Sequence, residues 1–154
     1  MATGENEMVD LAEEVKSSGG SMADYVELMP SLHGRSILRD TDLSRDEINA
    51  IVDLALVLKG LRKRQVPHAW LAGRTLGMIF QHPSTRTRTA FQAGMEQLGG
   101  QAIFLGVQDL QLKRGETIED TAGIFSRYVD GIAVRAADRN DLFGLARGAT
   151  VPVF

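Results

Sequence analysis

The sequence predicts an α/β fold, a parallel four-stranded sheet with helices on both faces. Four short apolar segments, 75–80, 101–105, 131–135 and 150–154, have the length of buried strands. The stretches between them carry apolar residues at helical spacing. Strands that alternate with helices lead to a parallel sheet covered on both sides. The chain of 154 residues is long enough for one domain with a real core, and 44% hydrophobic with 24% charged residues is the composition of a globular protein.

Residues 1–30 read as an acidic, mobile extension. They hold seven carboxylates against Lys16 and end their first part in Ser17-Ser18-Gly19-Gly20. Residues 31–154 read as the folded domain, with an irregular start around Pro30 and Gly34. Ser44-Arg45-Asp46-Glu47 has capping-box spacing. The helix it opens shows Ile48, Ile51, Val52, Ala55 and Leu58 on one face and closes at Arg62-Lys63-Arg64, where cations suit the negative end of the dipole. Pro67 starts a loop in which Trp70 reads as a packing residue.

From Gly73 the pattern is regular. Strand 75–80 precedes a helix over 86–98 with Phe91, Met95 and Leu98 at helical spacing, closed by Gly99-Gly100. Strand 101–105 leads into a polar loop, 106–116, holding Gln108, Gln111, Lys113 and Arg114. A helix over 117–129 aligns Ile118, Thr121, Ala122, Phe125, Tyr128 and Val129. Strand 131–135 ends in Arg135, and a helix over 138–148 is capped by Asp138 or Asn140. The chain then stops on Phe154, inside the fourth strand, and reads as truncated.

Charge and composition narrow the function. The net charge of −3 divides into −6 over residues 1–30 and +3 over the rest, a mild basic excess that suits a small anion better than nucleic acid. Without cysteine there is neither a disulfide framework nor a thiolate zinc site. His33, His68 and His82 lack metal-ligand spacing, so no metal and no cofactor are expected. No apolar run spans a bilayer, and the N-terminus lacks the basic and apolar parts of a signal peptide. A cytoplasmic protein without membrane association is expected.

The chemistry concentrates at Ser84-Thr85-Arg86-Thr87-Arg88, where a strand meets a helix. A helix N-terminus has unpaired N–H groups and about half a positive charge. Hydroxyls and two guanidinium groups added there suit a phosphate-like dianion. A lone Ser-Thr pair would read as a simple cap with solvated arginines. Ligands of open parallel sheets lie beyond the carboxyl ends of the strands, the edge where Arg135 also falls. No Gly-x-x-x-x-Gly-Lys or Gly-x-Gly-x-x-Gly fingerprint is present, and no nucleophile with a paired base. A site made of donors suggests electrostatic stabilisation of a phosphorylated substrate.

His82-Pro83-Ser84-Thr85-Arg86-Thr87-Arg88, followed by Phe91 and Gln97-Leu98-Gly99-Gly100, resembles the carbamoyl phosphate signature of the aspartate and ornithine carbamoyltransferases. Gly115-Glu116-Thr117-Ile118-Glu119-Asp120-Thr121, then Ser126 to Gly131 and Arg135, continue the likeness, which covers roughly residues 34–154. The loop from Asp109 to Glu116 looks ornithine-type, because aspartate enzymes tend to carry serine where Gln111 stands. The resemblance implies the carbamoyl phosphate-binding domain, with Ser84, Thr85, Arg86 and Thr87 on the phosphate. Arg135 and Thr87 would polarise the carbamoyl oxygen. Gln111 would reach the phosphate of a neighbouring subunit in a homotrimer, and Arg88 would support the loop.

The implied reaction is carbamoyl transfer to ornithine in arginine biosynthesis, giving citrulline and phosphate, with an amino acid as co-substrate. The family's His-Pro-x-Gln segment and amino-substrate domain lie outside residues 1–154, so this chain alone is expected to turn over poorly or not at all. Other readings are a different acceptor amine, a non-catalytic anion-binding module derived from the family, and nucleic-acid binding through 62–64 and 84–88. The last is disfavoured because those groups fall at different helix ends with few aromatics.

Overall fold

A computed structural model describes residues 31–110 and 115–154. These divide into two compact units, one holding 31–33 and Thr41–His68, the other Gly34–Asp40 and Ala69–Phe154.

The first unit is built on helix α1, Arg45–Lys63. Its capping box closes as the spacing predicts. Ser44 Oγ accepts from Glu47 N–H at 3.2 Å, and Glu47 Oε2 accepts from Ser44 N–H at 2.8 Å. The helix ends in a Schellman turn, with Val66 N–H on Leu61 O at 3.0 Å and Gln65 N–H on Arg62 O at 3.2 Å. Gln65 takes the left-handed position, φ 58°, more often given to glycine. The inward stripe differs from the one expected. Val57 and Leu61 are buried among Ala50, Leu54, Leu58 and Val66, whereas Ile48, Ile51 and Val52 are exposed. Helix α1 carries apolar residues on two faces, and periodicity alone could not choose between them.

The second unit holds a parallel sheet of β1 (Thr75–Phe80), β2 (Gln101–Gly106) and β3 (Gly131–Arg135), ordered β2-β1-β3. Central β1 is covered on both faces. Phe80 and Met78 belong to one cluster with Ala133 and Phe104, and Ile79 to another with Ile132, Leu145 and Val153. Helix α2 (Thr85–Gln97) lies on the first face, where Arg88 stacks on Phe104. Helices α3 (Ile118–Phe125) and α4 (Arg139–Gly148) lie on the second. Gly77 lets α3 come close, because a Cβ there would run into the Phe125 ring. At the α3–α4 contact a Cβ on Gly148 would stand 2.6 Å from Glu119 Cα.

The expected fourth strand is a single bridge. Val153 pairs in parallel with Ile132, through Ile132 N–H on Pro152 O and Phe154 N–H on Ile132 O. The other edge of this segment bonds to Ile37 N–H and Ser36 Oγ, which leaves Val153 fully buried. A further bond, from Val134 N–H to Phe154 O at 2.8 Å, carries this pairing on to Phe154.

Two expectations are corrected, the end of α3 and the packing of Trp70, and one choice left open, the cap of α4, is decided. Helix α3 stops at Phe125, after which Arg127 N–H and Tyr128 N–H turn to the i−3 carbonyls of Ile124 and Phe125. Ser126 Oγ donates to Ala122 O at 2.7 Å and accepts Thr150 N–H at 3.1 Å, and Tyr128 is exposed. Trp70, expected to pack, is 46% exposed. Asp138, and not Asn140, caps α4, accepting from Asp141 N–H at 3.0 Å. At the far end of the sheet Asp130 accepts from Thr75 N–H at 2.8 Å and from Arg74 at 2.7 Å, which together hold its carboxyl below the usual aspartate range.

Candidate functional site

The site forms where β1 and β3 end side by side. Phe80 pairs with Arg135 in the register, and Gln81 N–H continues the ladder onto Arg135 O at 2.9 Å. Pro83 and Ser84 then turn the chain into α2. Ser84 occupies the N-cap position with extended φ and ψ, −155° and 90°, yet its hydroxyl makes no capping bond. Instead Ser84 Oγ accepts a hydrogen bond of 2.8 Å from Arg135 Nη1. The cation at the end of β3 and the hydroxyl at the start of α2 are thus joined across 51 residues of sequence.

The first intrahelical bond runs from Arg88 N–H to Ser84 O at 3.1 Å, so the four preceding N–H groups, Ser84 to Thr87, have no helical acceptor. Thr85, Arg86 and Thr87 stand at the exposed start of the helix, and the positive end of its dipole lies among them. Arg88 points elsewhere. Its guanidinium lies 3.7 Å above the Phe104 ring, and its Nε donates to Gln92 at 3.3 Å. Phe104 is in turn edge-on to Phe80 at 5.5 Å.

A cavity of about 640 Å³ opens beside this turn, lined by Gln81 to Thr85, Arg88, Thr89 and Gln92, with Phe80, Phe104, Gly106 and Gln108 as its wall. Of the residues singled out in the sequence, Ser84, Thr85 and Arg88 line it. Arg86, Thr87 and Arg135 stand outside its wall, with Arg135 tied to its edge through Ser84. His82 and Gln108 face it. Gln111, Lys113 and Arg114 lie outside the described residues.

The sequence reading missed Gln81 and Asp141. Gln81 Nε2 donates to Asp141 Oδ2 at 2.7 Å, and its Oε1 accepts from Ala137 N–H. The available signal was a polar residue directly after an apolar strand, at the edge where ligands bind. Elsewhere His68 Nδ1 is 2.6 Å from Val66 O, a partner that requires the proton on that nitrogen. Among the described residues no three His, Cys, Asp or Glu side chains are grouped as metal ligands.

A parallel sheet with donors gathered at its carboxyl edge defines a class of anion-binding α/β domain. Residues 35–154 match the family model for the aspartate/ornithine carbamoyltransferase, carbamoyl-P binding domain, and the chain belongs to that family. It is 51% identical over 126 residues to ornithine carbamoyltransferase of Thermococcus kodakarensis, covering 82% of this chain and 40% of the relative. The solved ornithine carbamoyltransferase from Pyrococcus furiosus superposes with a TM-score of 0.75 at 52% identity, over 79% of this chain and 39% of that one. Aspartate transcarbamoylase from Trypanosoma cruzi, solved with carbamoyl aspartate and phosphate, gives 0.74 at 28% identity, over 80% and 40%. The chain therefore spans about 40% of the length of the relatives it matches.

Proposed function

We propose that this chain is the carbamoyl phosphate-binding half of an ornithine carbamoyltransferase. The observation that carries this reading is the 2.8 Å bond from Arg135 to Ser84, which brings the β3 cation to a turn of hydroxyls and unpaired N–H groups. In this reading Ser84, Thr85, Arg86 and Thr87 hold the phosphate. Arg135 and Thr87 face the carbamoyl oxygen, where donors stabilise negative charge as it develops. A neutral amine attacks the carbamoyl carbon, the tetrahedral species collapses, and phosphate leaves. The protein contributes orientation and fixed dipoles.

The fold does not choose the acceptor, since the ornithine and aspartate enzymes superpose equally well. Sequence identity, 52% against 28%, favours ornithine and a place in arginine biosynthesis. We assign residues 31–154 to the binding domain and residues 1–30 to an extension outside it. The amino-acid co-substrate would bind to the part of the relatives that this chain does not span. Assembly as a homotrimer would let Gln111 serve a neighbouring subunit. No helix among the described residues is long and apolar enough to cross a membrane, and the proposed location is the cytoplasm.

Titration of the chain with carbamoyl phosphate, followed by calorimetry, tests the reading. Arg86 is exposed at the start of α2, away from the core, so Arg86→Ala is expected to abolish binding while leaving the circular dichroism spectrum unchanged. Undiminished binding by that variant would remove the cluster from the mechanism.

A further inference from the structure

The Arg135–Ser84 pair depends on two backbone segments that are far apart in sequence, and a single side chain ties both. Gln81 lies between the end of β1 and Ser84, three residues before it. Its main-chain N–H holds Arg135 O at 2.9 Å. Its side-chain Oε1 accepts from Ala137 N–H, two residues beyond Arg135. Its Nε2 donates to Asp141 Oδ2 at 2.7 Å, in the first turn of α4. We infer that Gln81 is a positioning residue, which clamps the backbone on both sides of Arg135 to the strand that delivers Ser84.

The residue type follows from the chemistry. The clamp needs an acceptor for Ala137 and a donor for Asp141 on one side chain. Glutamate lacks the donor and would set a second carboxylate against Asp141. Asparagine is one methylene shorter. A long, four-rotor arginine side chain reaches a given hydroxyl reproducibly only when its own Cα is held, and a small misplacement of a charge-stabilising group weakens ligand binding steeply. The functional readout of this inference rests on the anion-site reading, but its structural readout does not.

The experiment uses the whole chain, isotope-labelled, with two measurements. Nuclear magnetic resonance follows the Arg135 guanidinium signals without ligand, and calorimetry follows inorganic phosphate. Gln81→Ala is expected to speed hydrogen exchange at the Arg135 guanidinium and to weaken phosphate binding on the order of tenfold. Gln81→Glu should do the same or worse. Asp141→Asn alone should behave like the parent, because the amide oxygen it introduces still accepts from Gln81. The double variant Gln81→Glu/Asp141→Asn should recover both properties. In it the new carboxylate just after β1 accepts both from Ala137 N–H and from the new amide on α4. This recovery separates positioning from general damage and carries the test if Gln81→Ala does not fold.

Arg135 signals that stay unchanged in Gln81→Glu would overturn the inference, whether or not phosphate binds. Phosphate binding by the parent and by Gln81→Glu with equal affinity would overturn it too, leaving the anion site standing. An Arg135 response as expected in a chain that does not bind phosphate would support the clamp and count against the proposed function.

Discussion

Among the described residues two serines occupy α-helix N-cap positions, and their removal should have opposite consequences. Ser44 closes a capping box on α1, accepting from Glu47 N–H at 3.2 Å and donating its own N–H to the Glu47 carboxylate at 2.8 Å. Ser84 starts α2 without a capping bond and accepts from Arg135 at 2.8 Å. Ser44→Ala leaves a helix N–H without its acceptor and should cost about 1 kcal/mol of stability, or about 2–4 °C in Tm for a chain of this size. Ser84→Ala removes only a solvent-accessible pair and should cost about 0.5 kcal/mol or less. Binding should respond in reverse. A hydroxyl donor to a dianion contributes about 1.5–3 kcal/mol, so Ser84→Ala should weaken carbamoyl phosphate or phosphate about 10- to 150-fold, while Ser44→Ala leaves affinity unchanged. Thermal melts by circular dichroism and calorimetric titration of both variants provide the comparison. Equal losses of stability would show that the Ser84 hydroxyl serves as a cap, and unchanged phosphate affinity in Ser84→Ala would take it out of the site.

Two further outcomes follow from packing and from charge. Gly148→Ala would place a Cβ 2.6 Å from Glu119 Cα and 2.7 Å from Glu119 C, main-chain atoms that move only with α3. Overpacking of about 1–3 kcal/mol should outweigh the gain of up to about 1 kcal/mol from alanine in a helix. Tm should fall, and a raised Tm would show that α3 slides freely on α4. The Asp130 carboxyl is held low in the folded chain, first by Thr75 N–H and then by Arg74. Its contribution is therefore present above the ordinary aspartate value of about 3.9 and is lost as the pH falls through the lower folded value. Asp130→Asn should be less stable near neutrality and show a flatter loss of stability below about pH 4. Parallel acid-unfolding curves for parent and variant would contradict this.

Much of the molecule was legible in its residues because the signals were local. The capping box at Ser44, the positions of the three strands, with β2 running one residue further than expected, and the helix ends near Gly99 and Gly148 follow from side-chain chemistry within a few positions. The string from Ser84 to Arg88 and the basic residue ending β3 pointed to an anion at the carboxyl edge for the same reason. Four decisions needed the folded chain. The buried stripe of α1 depended on which of two apolar faces found partners, and the exposure of Trp70 and Tyr128 on what lay opposite them. The last segment joins the sheet beside β3 through the Val153–Ile132 bridge and the bond from Val134 N–H to Phe154 O, partners about 20 positions away. The clamp of Gln81 on Ala137 and Asp141 joins residues about 60 positions apart, as the Arg135–Ser84 bond joins residues 51 apart. Local propensity and spacing act over a turn or two of chain and can be read directly. Hydrogen bonds between strand ends exist only after the sheet has set its register, so they belong to the tertiary structure alone.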